Sequence, residues 1–517
     1  MLNKCFCATC IGVEAVVVTV EVDLSVGVGI HLVGLPDSAV RESLLRVITA
    51  LTSYGFRIPG RKLVVNLAPA DIRKEGSAYD LAIAIGLLAV SEQIHVVDCD
   101  KFLIMGELAL DGHVRPVNGV LPVAFQARAA GFHGCIFPAE SAMEAAAVEG
   151  LAVYGVSTLA EAIEVLTQRE RCDHLRVRTS TAWEKTVPSG NDFRQVRGQQ
   201  VAKRGMEIAA AGSHHLILVG APGSGKSLMA SCLPSILPPM TKEEAVETGK
   251  VYSVSGHGSR GGGLIRTRPF RAPHHSASLV SLIGGGQNAA PGEISLAHNG
   301  VLYLDEIAQF SRSLLDALRQ PLEDGRVTIS RAKYKVEYPS HFMLVASMNP
   351  CPCGYFGDDT GRCTCTRGAV EGYLSRISGP MMDRIDLQVW VKSLSAVELL
   401  GMTSGAAPAK PEESSAEIAA RVARARAIQE KRFQGMGIFT NAAMNARQIE
   451  RYCILSNECR RTLEKILDRM GLSARAYTRI LKVARTIADL AGEPDIHPVH
   501  LLEAAGFRFL DRRKIFD

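Results

Sequence analysis

An octapeptide near the middle of the chain, Gly220-Ala221-Pro222-Gly223-Ser224-Gly225-Lys226-Ser227, restricts what can surround it. The pattern G-x-x-x-x-G-K-S carries meaning only between a strand and a helix. Both are expected here, because residues 216–219 are an apolar run of strand character and Leu228-Met229-Ala230 can open a helix. The glycines let backbone N–H groups turn inward around a triphosphate, and the helix N-terminus adds partial positive charge. Lys226 is then expected on the β- and γ-phosphates and Ser227 on Mg²⁺. The alternative, a glycine-rich turn carrying Lys-Ser by chance, is disfavoured by a second motif.

That motif is Gly300-Val301-Leu302-Tyr303-Leu304-Asp305-Glu306, an apolar strand ending in two carboxylates. Asp305 is expected to hold Mg²⁺ through water, and Glu306 to polarise the attacking water. A third strand, residues 342–348, ends at Asn349, whose side chain can position that water. One acidic pair after a strand is commonly a solvated strand end. Three strand-end motifs in this order imply a nucleotide hydrolase, with ATP and Mg²⁺ as its ligands.

A chain of 517 residues calls for more than one domain. With 47% hydrophobic and 21% charged residues, the composition is that of a soluble globular protein. A net charge of +5 is too small over this length to decide for nucleic acid, so local patches must. No apolar stretch is long enough to span a membrane or serve as a signal peptide, and a cytoplasmic location is expected. Of thirteen cysteines, seven fall in two clusters, Cys5-Cys7-Cys10 and Cys351-Cys353-Cys363-Cys365. In the reducing compartment expected of an ATPase, such clusters raise metal before disulfide.

Residues 1–170 alternate strands (near 14–24, 29–34, 61–68 and 102–108) with helices (near 38–53, 78–91 and 119–131), the pattern of a compact α+β domain. Asp37 is a plausible N-cap, and Asp111-Gly112 a hairpin turn. The strings VGLPDSAVRESLLRV, NLAPADIRKEGSAYDLAIAIG and GELALDGHVRPVNG resemble the Lon-protease-like domain at the front of the ComM/YifB family. In Lon proteases that domain cleaves peptides through a Ser-Lys pair. Aligned on the protease pattern, this chain places Ala78 at the nucleophile and Pro116 near the lysine, despite the neighbouring Ser77 and Lys74. Without nucleophile or base, peptidase activity is not expected, and the domain reads as a scaffold for ring assembly or DNA binding. Cys5, Cys7 and Cys10 are one ligand short of a tetrahedral zinc site and are read as fortuitous.

A polar linker over 171–192 leads to a core at 193–395. Its strings RPFRAPHHSASLVSLIGGG and PGEISLAHNGVLYLDE resemble magnesium-chelatase-type AAA+ ATPases, most closely the ComM/YifB branch, and the resemblance covers nearly the whole chain. The fold implied is α/β: a Lon-protease-like α+β domain, an AAA+ P-loop NTPase core, and a C-terminal helical lid at 396–517. Asn349 matches the family's sensor 1. The segment 374–386 matches the one carrying the arginine finger, with Arg384 the first choice and Arg376 the second; an ordinary salt bridge is the alternative for each. A finger acts on a neighbour's γ-phosphate and so requires an oligomer. His274 and His275 lack a spaced carboxylate or cysteine and are read as loop residues.

Cys351, Cys353, Cys363 and Cys365 form two C-x-C pairs joined by a loop containing Gly354, Gly357 and Gly361. That loop can fold back to give four thiolates, a closed structural zinc site; two disulfides are the alternative. Residues 326–336 read as a hairpin with a basic turn, where Arg331, Lys333 and Lys335 either grip DNA phosphates or are simply solvated. Beyond an Ala/Pro/Glu/Ser-rich stretch at 404–415, helical patterns run over 414–434, 446–454, 457–470 and 473–491. Arg475 matches the family's sensor 2 and would meet the γ-phosphate of its own subunit.

The resemblance implies a homo-oligomeric ring, a hexamer, that drives branch migration on single-stranded or branched DNA during homologous recombination, alongside recombination proteins. A chelatase-type motor and an ATP-dependent unfoldase are the rival readings.

Overall fold

The computed structural model describes residues 2–178, 191–258, 263–286, 288–331, 334–358, 361–393, 412–471 and 473–511. Residues 179–190 of the linker, the Ala/Pro-rich stretch through 411, Lys333 and the side chain of Arg331 lie outside the described residues.

Leu2–Ile11 (β1) pairs antiparallel with Glu14–Ser25 (β2) along its whole length. Gly29–Val33 (β3), Lys62–Ala68 (β4), Phe102–Ile104 (β5), Gly134–Pro138 (β8) and Ala152–Val156 (β9) complete a seven-stranded sheet in the order β3-β4-β2-β1-β5-β8-β9. Between β5 and β8 comes a small hairpin, Glu107–Leu108 (β6) and Val114–Arg115 (β7). Gly112 supplies its positive φ of 82°, as Asp-Gly predicts. Asp37 caps the Ser38–Ser53 helix by accepting from the Val40 N–H. The expected strands and helices of this half are present, and β1, β8 and β9 are additions. Cys5 and Cys7 of β1 point into the core as small hydrophobes. The Cys5 sulfur lies 3.1 Å from that of Cys99, and among the described residues this trio joins no group of potential metal ligands.

The second sheet is parallel. Leu216–Gly220 (β10), Phe270–Arg271 (β11), Val301–Leu304 (β14), Met343–Met348 (β17) and Leu387–Val391 (β18) lie in the order β11-β14-β17-β10-β18. A parallel sheet is buried on both faces, hence the unbroken apolar run of β10. Leu216 and Leu218 face a core shared with the C-terminal helices, while Ile217 and Val219 face a second core. Two hairpins extend this second core: Gly284–Gly285 (β12) with Ala290–Pro291 (β13), and Arg326–Arg331 (β15) with Tyr334–Pro339 (β16). The hairpins are joined where the Tyr338 hydroxyl donates to the Ala289 carbonyl at 2.9 Å.

The C-terminal helices Ser415–Arg432, Ala446–Tyr452, Asn457–Met470 and Ala474–Ala491 fall where the periodicity places them. A further helix, Pro498–Gly506, begins with proline at its first turn, where the missing N–H has no helical partner to lose. A buried ion pair, Lys203 with Glu412, ties the segment leading into these helices to the ATPase core, and Arg432 with Asp489 joins two of the helices to each other. The two halves also interlock. The Gly119 N–H donates to the Ser253 carbonyl at 2.9 Å, and Lys250 lies 5.0 Å from the Phe125 ring centroid. Val13, in the β1–β2 turn, packs into the ATPase core beside β16.

Candidate nucleotide and metal sites

Because β10, β14 and β17 are adjacent and parallel, their C-terminal ends bring three distant motifs together. The Lys226 ammonium, only 8% exposed, donates to the carbonyls of Gly220 (2.8 Å) and Ala221 (2.9 Å) and to Asn349 Oδ1 (3.2 Å). It thus spans the phosphate loop and sensor 1. Burial lowers its pKa, with Asp305 and Glu306 opposing. Gly223 and Gly225 carry φ of 76° and 89°, and among the described residues neither has an atom near enough to contact an added Cβ, so the loop is open there. Ser224 is buried beneath it.

Ser227 Oγ donates to Asp305 Oδ2 at 3.1 Å, the pair expected to share Mg²⁺. Tyr303 donates to Asp305 Oδ1 at 2.8 Å, and Ser347 Oγ donates to the same oxygen. Burial pushes the Asp305 carboxyl up, but the hydrogen bonds from Ser347, Tyr303 and Ser227 outweigh it, so the group titrates below its ordinary value. These hard oxygen donors suit Mg²⁺. Glu306 adopts a left-handed backbone (φ 52°), its N–H bound to Ser347 Oγ at 3.0 Å, and Gln309 donates to its carboxylate. Sequence reasoning missed Tyr303, Ser347 and Gln309. Tyr303 had a legible signal, since two residues before Asp305 along a strand is the same face.

The arginines separate. Tyr373, beside Arg376 (5.6 Å from ring centroid to guanidinium carbon), is hydrogen-bonded to the Asn349 backbone, which places Arg376 near its own subunit's sensor 1. Arg384 lies elsewhere. It donates to the Pro380 carbonyl at 2.6 Å and pairs with Glu323. The neighbouring Asp386 bonds His215, where β10 begins, while the phosphate loop follows where β10 ends, four residue steps or about 13 Å of strand away. Arg475 bonds Asp383 at 3.2 Å, and Arg479 holds both the Arg384 carbonyl and Asp386. Arg475 therefore sits with Arg384 and not at its own phosphate loop, a correction to the same-subunit expectation. The lid helix is anchored to the finger segment, and no sequence spacing reveals that.

The four thiols converge. Cys351 Sγ lies 3.3 Å from Cys353 Sγ and 3.8 Å from Cys363 Sγ, Cys353 and Cys363 are 3.7 Å apart, and with Cys365 all four lie within 4.8 Å. Sulfurs around a tetrahedral zinc stand about 3.8 Å apart, from ~2.3 Å bonds. All four are free thiols, and a hydrogen bond from the Tyr355 backbone, then one from Cys351, brings Cys353 down to about 6. The donor set fits zinc. The loop also touches the phosphate loop: a Cβ on Gly354 would stand 2.7 Å from Pro222 Cδ.

In the front half, Ser77 donates to Glu107 and the buried Lys74 to the Pro69 carbonyl. Ala78 and Pro116 both line a cleft of about 1100 Å³.

Comparison with known proteins returns three family profiles: Magnesium chelatase, subunit ChlI, over residues 192–399; Subunit ChlI of Mg-chelatase over 20–141; and the subunit ChlI C-terminal profile over 412–508. The chain is 44% identical over 506 residues to Competence protein ComM of Haemophilus influenzae, covering 97% of this chain and 96% of that one. It is 41% identical over 503 residues to YifB of Salmonella typhimurium, with the same coverage. A shorter match, 27% over 129 residues, joins it to Lon protease 2 of Bacillus subtilis, covering 25% of this chain and 23% of the protease.

Proposed function

Since the chain belongs to the ComM/YifB family of magnesium-chelatase-type AAA+ ATPases, we propose that it is an ATP-driven ring motor acting on DNA, a branch-migration helicase of homologous recombination. The observation that carries the motor is the convergence of Lys226, Ser227, Asp305, Glu306 and Asn349 at the ends of three parallel strands. Support for DNA comes from the competence role in the name of a relative covering nearly the full chain, together with the β15–β16 hairpin and its exposed Lys335.

In this reading Lys226 leaves the Gly220 and Ala221 carbonyls for the β- and γ-phosphates. Ser227 and Asp305 would hold Mg²⁺, which would neutralise developing phosphate charge. Tyr303 and Ser347 keep the Asp305 carboxylate ionised and aimed. Glu306, released from Gln309, takes the proton of the water that Asn349 positions. Arg384 exchanges Glu323 for a neighbour's γ-phosphate, and Arg475 reaches that same neighbouring site, so hydrolysis needs a closed oligomer, a hexamer. Cys351, Cys353, Cys363 and Cys365 would hold zinc and so fix the turn that follows Asn349. No helix among the described residues is long and apolar enough to cross a membrane, and we place the motor in the cytoplasm with DNA and recombination proteins as its partners.

The test is ATP hydrolysis with and without single-stranded or branched DNA, beside Glu306→Gln. Stimulation lost in that variant, with branches resolved only under hydrolysis, is expected. Hydrolysis indifferent to every DNA refutes the DNA motor and favours a protein-remodelling one.

A further inference from the structure

The large front-half cleft has a floor that nothing above explains. Strand β1 pairs with β2 through all ten of its residues, but on its other edge it meets β5 at Phe6 alone. The reason is topological. β5 ends at Ile104, after which Met105 bonds Ile136 and Gly106 bonds Ala78, so the chain turns away from β1. Residues 8–11 are left with an open edge inside the sheet's interior order. Among the described residues no strand pairs with that edge, and no backbone hydrogen bond reaches residues 8–11 from outside the β1–β2 ladder. These four residues line the cleft.

An open strand edge is a template for another strand. Proteins commonly shield such edges with charge or a covering loop, but this one faces a cavity of about 1100 Å³, at the top of the range for small-molecule sites. The charged residues lining it are Arg41 and Arg73 against Asp71, Glu75 and Glu107. That balance does not make a phosphate track, which needs clustered cations. Apolar groups, Ile11, Leu35 and Val117, stand between the charges. An unpaired backbone edge, mixed charge and apolar pockets are together what an extended peptide reads: main-chain bonds for affinity, alternate side chains for specificity.

We propose that this cleft is a binding site for an extended polypeptide segment of another protein, which adds as a strand along residues 8–11 and is held without being cut. Cleavage has no agent: Ala78 offers no nucleophile, and the Ser77 hydroxyl is engaged by Glu107. Val254, Asn288 and Val336 of the ATPase half also line the cleft, so the bound segment touches both halves and the middle of the basic hairpin's second strand. The site goes beyond the DNA-motor reading and does not depend on it.

Hydrogen–deuterium exchange on the full-length chain, with and without a pool of fluorescein-labelled casein peptides, tests this. Of the amides of residues 8–11, the alternate ones that are not bonded to β2 are expected to gain protection while fluorescence anisotropy rises. Ala78→Trp, which fills the cleft, should weaken binding by about tenfold or more, as loss of a central contact does. Ile11→Asp serves the same purpose should the tryptophan variant melt below the wild type. Peptide binding without protection of residues 8–11, or no peptide binding at all, overturns the proposal. Protection by a single-stranded oligonucleotide but not by peptides overturns it too and gives the cleft to nucleic acid. ATP hydrolysis with and without DNA, followed in the same samples, keeps failure of this site distinct from failure of the motor.

Discussion

Replacing Gly354 by alanine tests whether the four-cysteine turn supports the phosphate loop. Gly354 has φ of 87°, and a Cβ there would stand 2.7 Å from Pro222 Cδ and 2.8 Å from Cγ. Gly361 in the same turn has φ of 66° with, among the described residues, no atom within 4 Å of its would-be Cβ. Both alanines carry the left-handed strain, about 1 kcal/mol. Only Gly354→Ala adds the clash, which in a packed contact costs about 2 kcal/mol. The turn is held by four sulfurs and Pro222 belongs to a glycine-rich loop, so the loop is the part that yields. Nucleotide affinity should then fall roughly thirtyfold relative to Gly361→Ala. Titration with a fluorescent ATP analogue measures it, and zinc content shows that the turn survives. Equal affinities for the two alanine variants, with zinc retained, would refute the mechanical link between the turn and the phosphate loop.

Glu306→Gln should bind ATP normally but hydrolyse it about 10²- to 10³-fold more slowly, read by quenched product release. Arg384→Ala and Lys226→Ala subunits, each inactive alone, should regain hydrolysis when mixed, since one supplies the phosphate loop and the other the finger. Arg376→Ala mixed with Lys226→Ala should not, because Arg376 lies beside its own sensor 1. His215 is held down from 6.5 to about 4 by burial, and its Nδ1 already accepts the Leu344 N–H. Its folded value lies below the unfolded one, so its contribution is complete above pH 6.5 and is lost as pH falls from there to about 4. Denaturant melts across that window should lose up to about 3 kcal/mol, and His215→Gln should flatten the loss.

Much of the catalytic site was legible in the chain. The phosphate loop, the acidic pair and Asn349 each follow an apolar run, and a parallel sheet carries the ends of such runs to one edge by its own geometry. The four cysteines were legible too, because close spacing with glycines between them leaves few ways to fold. Legibility ended where contacts join distant segments. Tyr303 and Ser347 act through a shared carboxylate, and only strand adjacency places them there. Cys5 and Cys7, set aside as ligands for want of a fourth donor, are buried in the core, a place that spacing alone does not reveal.

The sequence by itself determined the chemistry, because binding a triphosphate demands residue types at fixed local spacing, and local spacing is written in the chain. Tertiary structure alone decided which arginines stand together. Arg475 and Arg384 are ninety-one positions apart, and their meeting at the start of β10 depends on how the lid helix docks through Asp383 and Asp386. It likewise decided that residues 8–11 have an open edge, since whether a strand is paired depends on where its neighbour stops, and β5 stops at Ile104.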